Sequence, residues 1–184
     1  MSDASGNDAS PRPVLRSFVE TDCFHVHRWF NNEEAVSRLV ARREQFTVED
    51  ARAWVQRAMD DSSADRKWAI VPQAESDPIG FTALYGVSGD VAPEFAILIG
   101  DNACWGRGIG LAATQGTLRM AFDDFGAHRV SLTVLADNAG ARSLYEKIGF
   151  REEGLLRAHV KRNGRLLDVA VYGLLRDEWA RTRE

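Results

Sequence analysis

Of 184 residues only two are cysteine, Cys23 and Cys104. They form neither a disulfide framework nor a metal-ligand spacing, and they read as free thiols in a reducing compartment. No stretch approaches the roughly 20 consecutive apolar residues of a membrane span. Met1–Pro13 lacks the basic start and apolar core of a secretory signal and holds almost nothing to bury, so a disordered tail is expected there. Positive charge is not in excess: 23 Lys and Arg against 27 Asp and Glu give a net charge of −4. Nucleic-acid binders draw on a basic field, so that class is disfavoured, and a cationic or neutral substrate fits better. These absences describe a soluble, cytoplasmic protein with no membrane and no nucleic-acid partner.

What is present is a globular mix, 45% hydrophobic and 27% charged. With no internal repeat and no long linker after Pro13, residues 14–184 are expected to form one domain. A chain of this size buries roughly 70% of its unfolded surface, which needs no disulfide or metal staple. Strands are expected at Val14–Phe18, Trp68–Val71, Ile79–Tyr85, Glu94–Ile99, Arg129–Leu135 and Val169–Leu174, with a helix around Asp22–Asn31. Thr47 and Asp50 form a capping pair ahead of a helix whose apolar face is Val48, Ala51, Val55, Ala58 and Met59. A second helix opens after the glycine turn at Trp105–Gly110, with Leu111, Leu118, Phe122 and Phe125 as its buried face and Gly126 at its end. Asn138 caps a third, marked by Ala141, Leu144, Tyr145 and Ile148 and closed by Gly149. Asn163-Gly164 reads as a turn. The fold class is α/β or α+β, with helices packed on a sheet.

Gly106-Arg107-Gly108-Ile109-Gly110 is the sharpest local signal. Alternating glycines follow a strand and open a helix, where free amides and the helix dipole make an anion site. Arg107 adds a charge. The dinucleotide fingerprint fails because Leu111 stands where its third glycine belongs, and the P-loop fails because no Gly-Lys-Ser/Thr follows. A tight turn with no ligand is the plainer alternative. His25 and His27, two apart, diverge on a helix, and no further ligand accompanies them, so no metal site is expected. His128 and His159 stand alone. Trp29, Trp54, Trp68 and Trp179 read as core or interface anchors.

Together, Glu94–Gly100 followed by Trp105-Gly106-Arg107-Gly108-Ile109-Gly110 resembles the acetyl-CoA motif of the GNAT superfamily of N-acetyltransferases, usually written Q/R-x-x-G-x-G/A. Trp105 replaces the first Gln or Arg, as in the ribosomal-protein and polyamine acetyltransferase branch. Residues 138–150 resemble that family's second block, N-x-x-A-x-x-L-Y-E-x-x-G-F. Glu153-Gly154 and residues 163–168 resemble the tail of the branch. The likeness runs from Val14 to Trp179 and is strong only from Glu94 onward.

That resemblance implies a central, mixed, twisted sheet splayed around acetyl-CoA, the co-substrate, and flanked by helices. It implies that backbone groups of Ile97, Leu98 and Ile99 pair with the pantetheine arm, that the amides of Arg107, Gly108, Ile109, Gly110 and Leu111 hold the diphosphate, and that Trp105 and Gly106 belong to the same cofactor-binding turn. Asn138 would contact the cofactor near its helix start. Tyr145 matches the family's general acid, and a phenol, with a pKa near 10, can protonate a departing thiolate. Glu94 is the candidate base, directly or through water. A related branch carries a Glu base at the position of Thr133, which cannot serve, so an ordered water remains the alternative. Cys104 beside the turn has no role in that chemistry. The acceptor is a primary amine of a small molecule (polyamine, amino sugar or antibiotic amine) or a protein N-terminus. Glu33, Glu34 and Glu44 fall where the family lines its acceptor side, although a solvated helix face is the plainer reading. Homodimers are common in that family, and no feature of the sequence specifies one. A non-catalytic acyl-CoA sensor on the same fold and an unrelated nucleotide module are the rival classes.

Overall fold

A computed structural model describes residues 13–41, 45–73, 76–87 and 92–183. All but the last residue of the expected tail, and Glu44 with it, lie outside them.

The sheet has seven strands in the order β1-β2-β3-β4-β5-β7-β6. Val14–Arg16 (β1), Arg66–Val71 (β2), Gly80–Tyr85 (β3) and Glu94–Ile99 (β4) form an antiparallel run. Arg129–Leu135 (β5) lies parallel to β4 and antiparallel to Arg165–Leu175 (β7), which pairs with Arg151–Arg162 (β6). Two parallel neighbours need a crossover, and it runs through the helix that follows the glycine turn. A mixed sheet with helices on both faces is the expected class.

Cys23–Phe30 (α1), Glu33–Val36 (α2) and Val48–Ala58 (α3) lie toward the antiparallel end. They bury Val26, Trp29 and Val55 against Phe81 and Leu98. Ile109–Arg119 (α4), Ala139–Ile148 (α5) and Arg176–Arg181 (α6) bury Leu118, Tyr145, Ile148 and Trp179 against Phe95, Val130, Leu132 and Tyr172. Phe95 and Leu98 thus serve opposite cores from one strand, as its two-sided apolar pattern requires.

The caps form as expected. Asp50 N–H donates to Thr47 Oγ1 at 3.1 Å while Thr47 N–H donates back to Asp50 Oδ2 at 3.0 Å. Ala141 N–H donates to Asn138 Oδ1 at 3.2 Å, and Gly149 closes α5 at φ +112°. Two members of expected apolar faces are corrected. Met59 is the residue just past α3 and is exposed. Phe125 is exposed too, because α4 continues as a wider π turn over Met120–Asp124, which rotates Phe125 outward against Trp68.

The first strand is shorter than expected, ending at Arg16, and α2 was not foreseen; Asn32 caps it. The largest omission is β6. Its side chains are exposed almost throughout, so it carries no burial pattern to read. This edge strand is held by backbone pairing and by ion pairs of Glu152 with Arg142 and Glu153 with Arg129, with irregular register between Glu152 and Gly154 and between Leu156 and Val160. The Asn163-Gly164 turn is present, with φ of +50° and +76°. It starts β7 at Arg165, well before the expected Val169. Near the hairpin tip, Arg162 donates to the carbonyls of Ser37, Leu39 and Val40 at 2.6–3.2 Å. The end of the sheet thereby ties down the loop that follows α2.

Candidate active site

Only Glu94 of β4 pairs with β5, opposite Ser131; beyond it the two strands diverge. The sheet opens there into a cavity of about 900 Å³. It extends from the glycine turn, along β4, to the space under α1 and α3. Divergence leaves backbone groups on the β5 side of β4 without a strand partner, which suits an extended ligand laid against them.

The glycine turn is shaped for close approach. Gly106 and Gly108 have φ of +72° and +77°, a region costly for residues with a Cβ, and a Cβ added at either would meet nothing within 4 Å. That open space faces a helix start. The first backbone bond of α4 runs from Ala112 N–H to the Gly108 carbonyl at 3.1 Å, so the amides of Ile109, Gly110 and Leu111 precede the ladder. A diphosphate fits the donors on offer. Arg107 is the one expected member of this group whose residue does not line the cavity; it is exposed.

Trp105 closes the crevice differently from expectation. Its indole N–H donates to the Ile99 carbonyl at 3.0 Å, so that carbonyl already has one partner. Arg38, from the loop after α2, lies with its guanidinium 4.2 Å from the Trp105 ring centroid. Asn138 lines the cavity while its side-chain oxygen caps α5, which leaves its side-chain NH2 without that duty. Cys104 lines the wall too; burial is the main cause that pushes its thiol above the ordinary value, with Asp101 adding to it, so it is protonated and a poor nucleophile.

Tyr145 is 6% exposed, ringed by Phe95, Phe150 and Tyr172 at centroid distances of 5.8–6.4 Å. Burial drives its phenol well above the usual value, so it is fully protonated near neutrality. It lines the cavity, and no hydrogen bond occupies its hydroxyl among the described residues. Glu94 lies at the mouth of the splay. Thr133 Oγ1 donates to Glu94 Oε1 at 3.0 Å, so the residue that cannot be a base instead orients the Glu94 carboxylate. A cross-strand pair of this kind was out of reach of the sequence, because it depends on the register of two strands 39 residues apart.

The far end of the cavity is lined by Phe30, Phe46, Trp54, Phe81, Tyr85 and Arg57. Trp54 is therefore a wall of the cavity as well as a core anchor. Of the acidic residues expected on the acceptor side, Glu33 and Glu34 are exposed and do not line it, and Glu34 instead accepts from the Asn102 amide. No helix among the described residues is long and apolar enough to cross a membrane.

Comparison with known proteins places this geometry. Residues 12–151 match the family model described as an acetyltransferase (GNAT) domain. An uncharacterized N-acetyltransferase p20 of Bacillus licheniformis is 34% identical over 76 residues, covering 41% of this chain and 43% of that protein. The spermidine N(1)-acetyltransferase of Vibrio cholerae is 26% identical over 172 residues, covering 93% of this chain and 97% of the other. Among solved structures, spermidine N-acetyltransferase from Vibrio cholerae in complex with CoA and spermine superposes with a TM-score of 0.83, covering 92% of this chain and 98% of that one at 24% identity.

Proposed function

The chain belongs to the GNAT family of acetyl-CoA-dependent N-acetyltransferases, and we propose that this domain, residues 14–184, moves an acetyl group from acetyl-CoA directly to a primary amine of a small molecule or a protein N-terminus. The observation that carries the reading is the splay between β4 and β5 together with the open turn at Gly106–Gly110. The residues present fit acetyl-CoA: the left-handed glycines leave room for a diphosphate, and the widening strands leave room for an extended arm. Ile97, Leu98, Ile99, Trp105, Asn138 and the amides through Leu111 would hold it. Bound there, it supplies an acetyl thioester, whose carbonyl carbon exchanges its bond to sulfur for one to the amine nitrogen.

The chain's own groups manage the protons. Glu94, held by Thr133, takes one proton from the arriving ammonium, directly or through a water, so that the nitrogen carries a free pair. Tyr145, neutral because it is buried, gives its proton to the sulfur left behind. The second proton leaving nitrogen and the one taken up by Glu94 go to solvent, and solvent returns one to the phenolate. Two free thiols are compatible with a reducing, cytoplasmic setting.

The test is calorimetric and kinetic. Acetyl-CoA at 100 times its dissociation constant should add about 2.7 kcal/mol of stability, and thiol release should appear with an amine present. Absence of both ends the proposal. Binding without turnover across a broad amine panel returns the chain to the sensor class.

A further inference from the structure

We propose, resting on the acetyltransferase reading above, that Arg38 is a cofactor-binding residue whose guanidinium meets the diphosphate of coenzyme A, and that Arg162 positions it from the edge of the sheet. Arg38 stands over the mouth of the splay. On one side its guanidinium lies 4.2 Å from the ring centroid of Trp105, the residue just before the glycine turn. On the other it lines, with Asp137, Asn138, Ala139 and Gly140 at the start of α5, a second pocket. Arg38, Asn138 and Gly140 line the main cavity as well. Trp105 follows β4 and α5 follows β5, so Arg38 spans the gap between the two strand ends. An extended ligand laid along β4 toward the glycine turn passes beside it.

The guanidinium still has its donors to give. Stacking uses its flat face, whereas its N–H groups lie in its plane and point outward, a fork that matches two phosphate oxygens. Among the described residues Arg38 makes no ion pair and no side-chain hydrogen bond, not even with Asp137 of the second pocket. It is also the cation that lines the cavity on the glycine-turn side, since Arg107 stands outside the lining and Arg57 is at the aromatic end. The backbone that carries Arg38 is fixed from two directions. Ahead of it, the Asn32 side-chain amide donates to the Gly100 carbonyl and to Asn102 Oδ1, each at 3.0 Å, and so pins α2 just past the end of β4. Behind it, Arg162 donates to the Ser37 carbonyl at 2.6 Å and to the Leu39 and Val40 carbonyls at 2.7 and 3.2 Å. Those carbonyls flank Arg38, so its segment is ordered before a ligand arrives and less freedom is lost on binding.

The experiment is calorimetric, with the full chain and no acceptor. The ligands are coenzyme A and dephospho-coenzyme A, which keeps the diphosphate and lacks the ribose phosphate, each at low and high salt. Arg38→Met keeps a long side chain on Trp105 without the charge. It should weaken both ligands about tenfold, as loss of a charged hydrogen bond implies, and should flatten the salt dependence of binding. Arg38→Lys should keep most of the affinity and the salt dependence. Arg38 is exposed, so these variants fold. Arg162→Gln should weaken both ligands about threefold through lost preorganisation, Arg162→Lys should recover part of that, and Arg162→Gln should add nothing in the Arg38→Met background. Unchanged binding by Arg38→Met overturns the proposal. A loss on coenzyme A alone overturns it by moving the contact to the ribose phosphate, and equal losses in Arg38→Met and Arg38→Lys overturn it by making the contact one of packing. Additive losses at Arg38 and Arg162 overturn the positioning role. If the unmodified chain binds neither ligand, it is the underlying acetyltransferase reading that fails.

Discussion

At its glycine-turn end the cavity offers mainly backbone; at the other end it offers side chains. The first end is assembled from one stretch, Glu94 to Tyr145, through a strand splay, two left-handed glycines and a capped helix. The second is gathered from Phe30, Phe46, Trp54, Phe81 and Tyr85, on two helices, one loop and one strand. Backbone recognition constrains which residues are tolerated and leaves the ligand's identity written in short, local patterns. Side-chain recognition leaves shape and charge free to change while the fold stays constant. The comparison predicts that damage at the first end abolishes catalysis or cofactor binding for every acceptor. Damage at the second end should re-rank acceptors.

The sharpest break of the first end is Tyr145→Phe. The ring and its packing against Phe95 and Phe150 are retained, and only the proton donor is lost. General acid catalysis is worth about 10²–10⁴, so kcat should fall at least a hundredfold while acetyl-CoA affinity is unchanged. Steady-state kinetics with calorimetry separates the two. Retained kcat would assign the proton to water and detach the buried phenol from the chemistry.

Next in size is Gly108→Val. A Cβ there meets open space, yet the φ of +77° is strained for a branched residue, and the side chain would occupy the room left for the diphosphate. Loss of one or two charged backbone hydrogen bonds should raise the acetyl-CoA KM on the order of thirtyfold. Gly86, also at positive φ with open space around it but outside the cavity lining, is the control for strain alone. Gly86→Val should lower thermal stability without moving KM.

The same contrast explains what could be read in advance. The glycine turn, the Asn138 cap and the Tyr145 helix are local, and each declares itself within about a dozen residues. The β4–β5 splay was expected only through the resemblance of these motifs to the GNAT family, since no local pattern declares where two strands part. The aromatic chamber was not legible: Trp54 and Phe81 have the spacing of ordinary core residues, and only the register of distant elements turns them toward one space. Strand β6 was hidden for the opposite reason. With its side chains in solvent it has no hydrophobic period, and its partner is fixed by the Asn163-Gly164 turn. Arg162 on that hairpin then holds a loop more than 120 residues earlier, a contact no sequence window contains.

The smallest expected effect tests the seam between the two ends. Thr133 and Glu94 stand on the two strands that part, and their 3.0 Å hydrogen bond is the last side-chain link before the opening. Thr133→Val keeps the branched shape suited to β5 and removes only the donor. Glu94 would then sample other rotamers in an exposed position, and the fraction poised toward an incoming ammonium would drop. A three- to fivefold fall in kcat is expected, about the worth of one hydrogen bond to an exposed carboxylate. Acetyl-CoA KM should not change, because Thr133 approaches the cofactor side through no donor of its own. Thr133→Ser, which restores the hydroxyl, should recover most of the loss. A fall in kcat of the same size in both variants would mean that β5 packing, not orientation of Glu94, is what the position supplies.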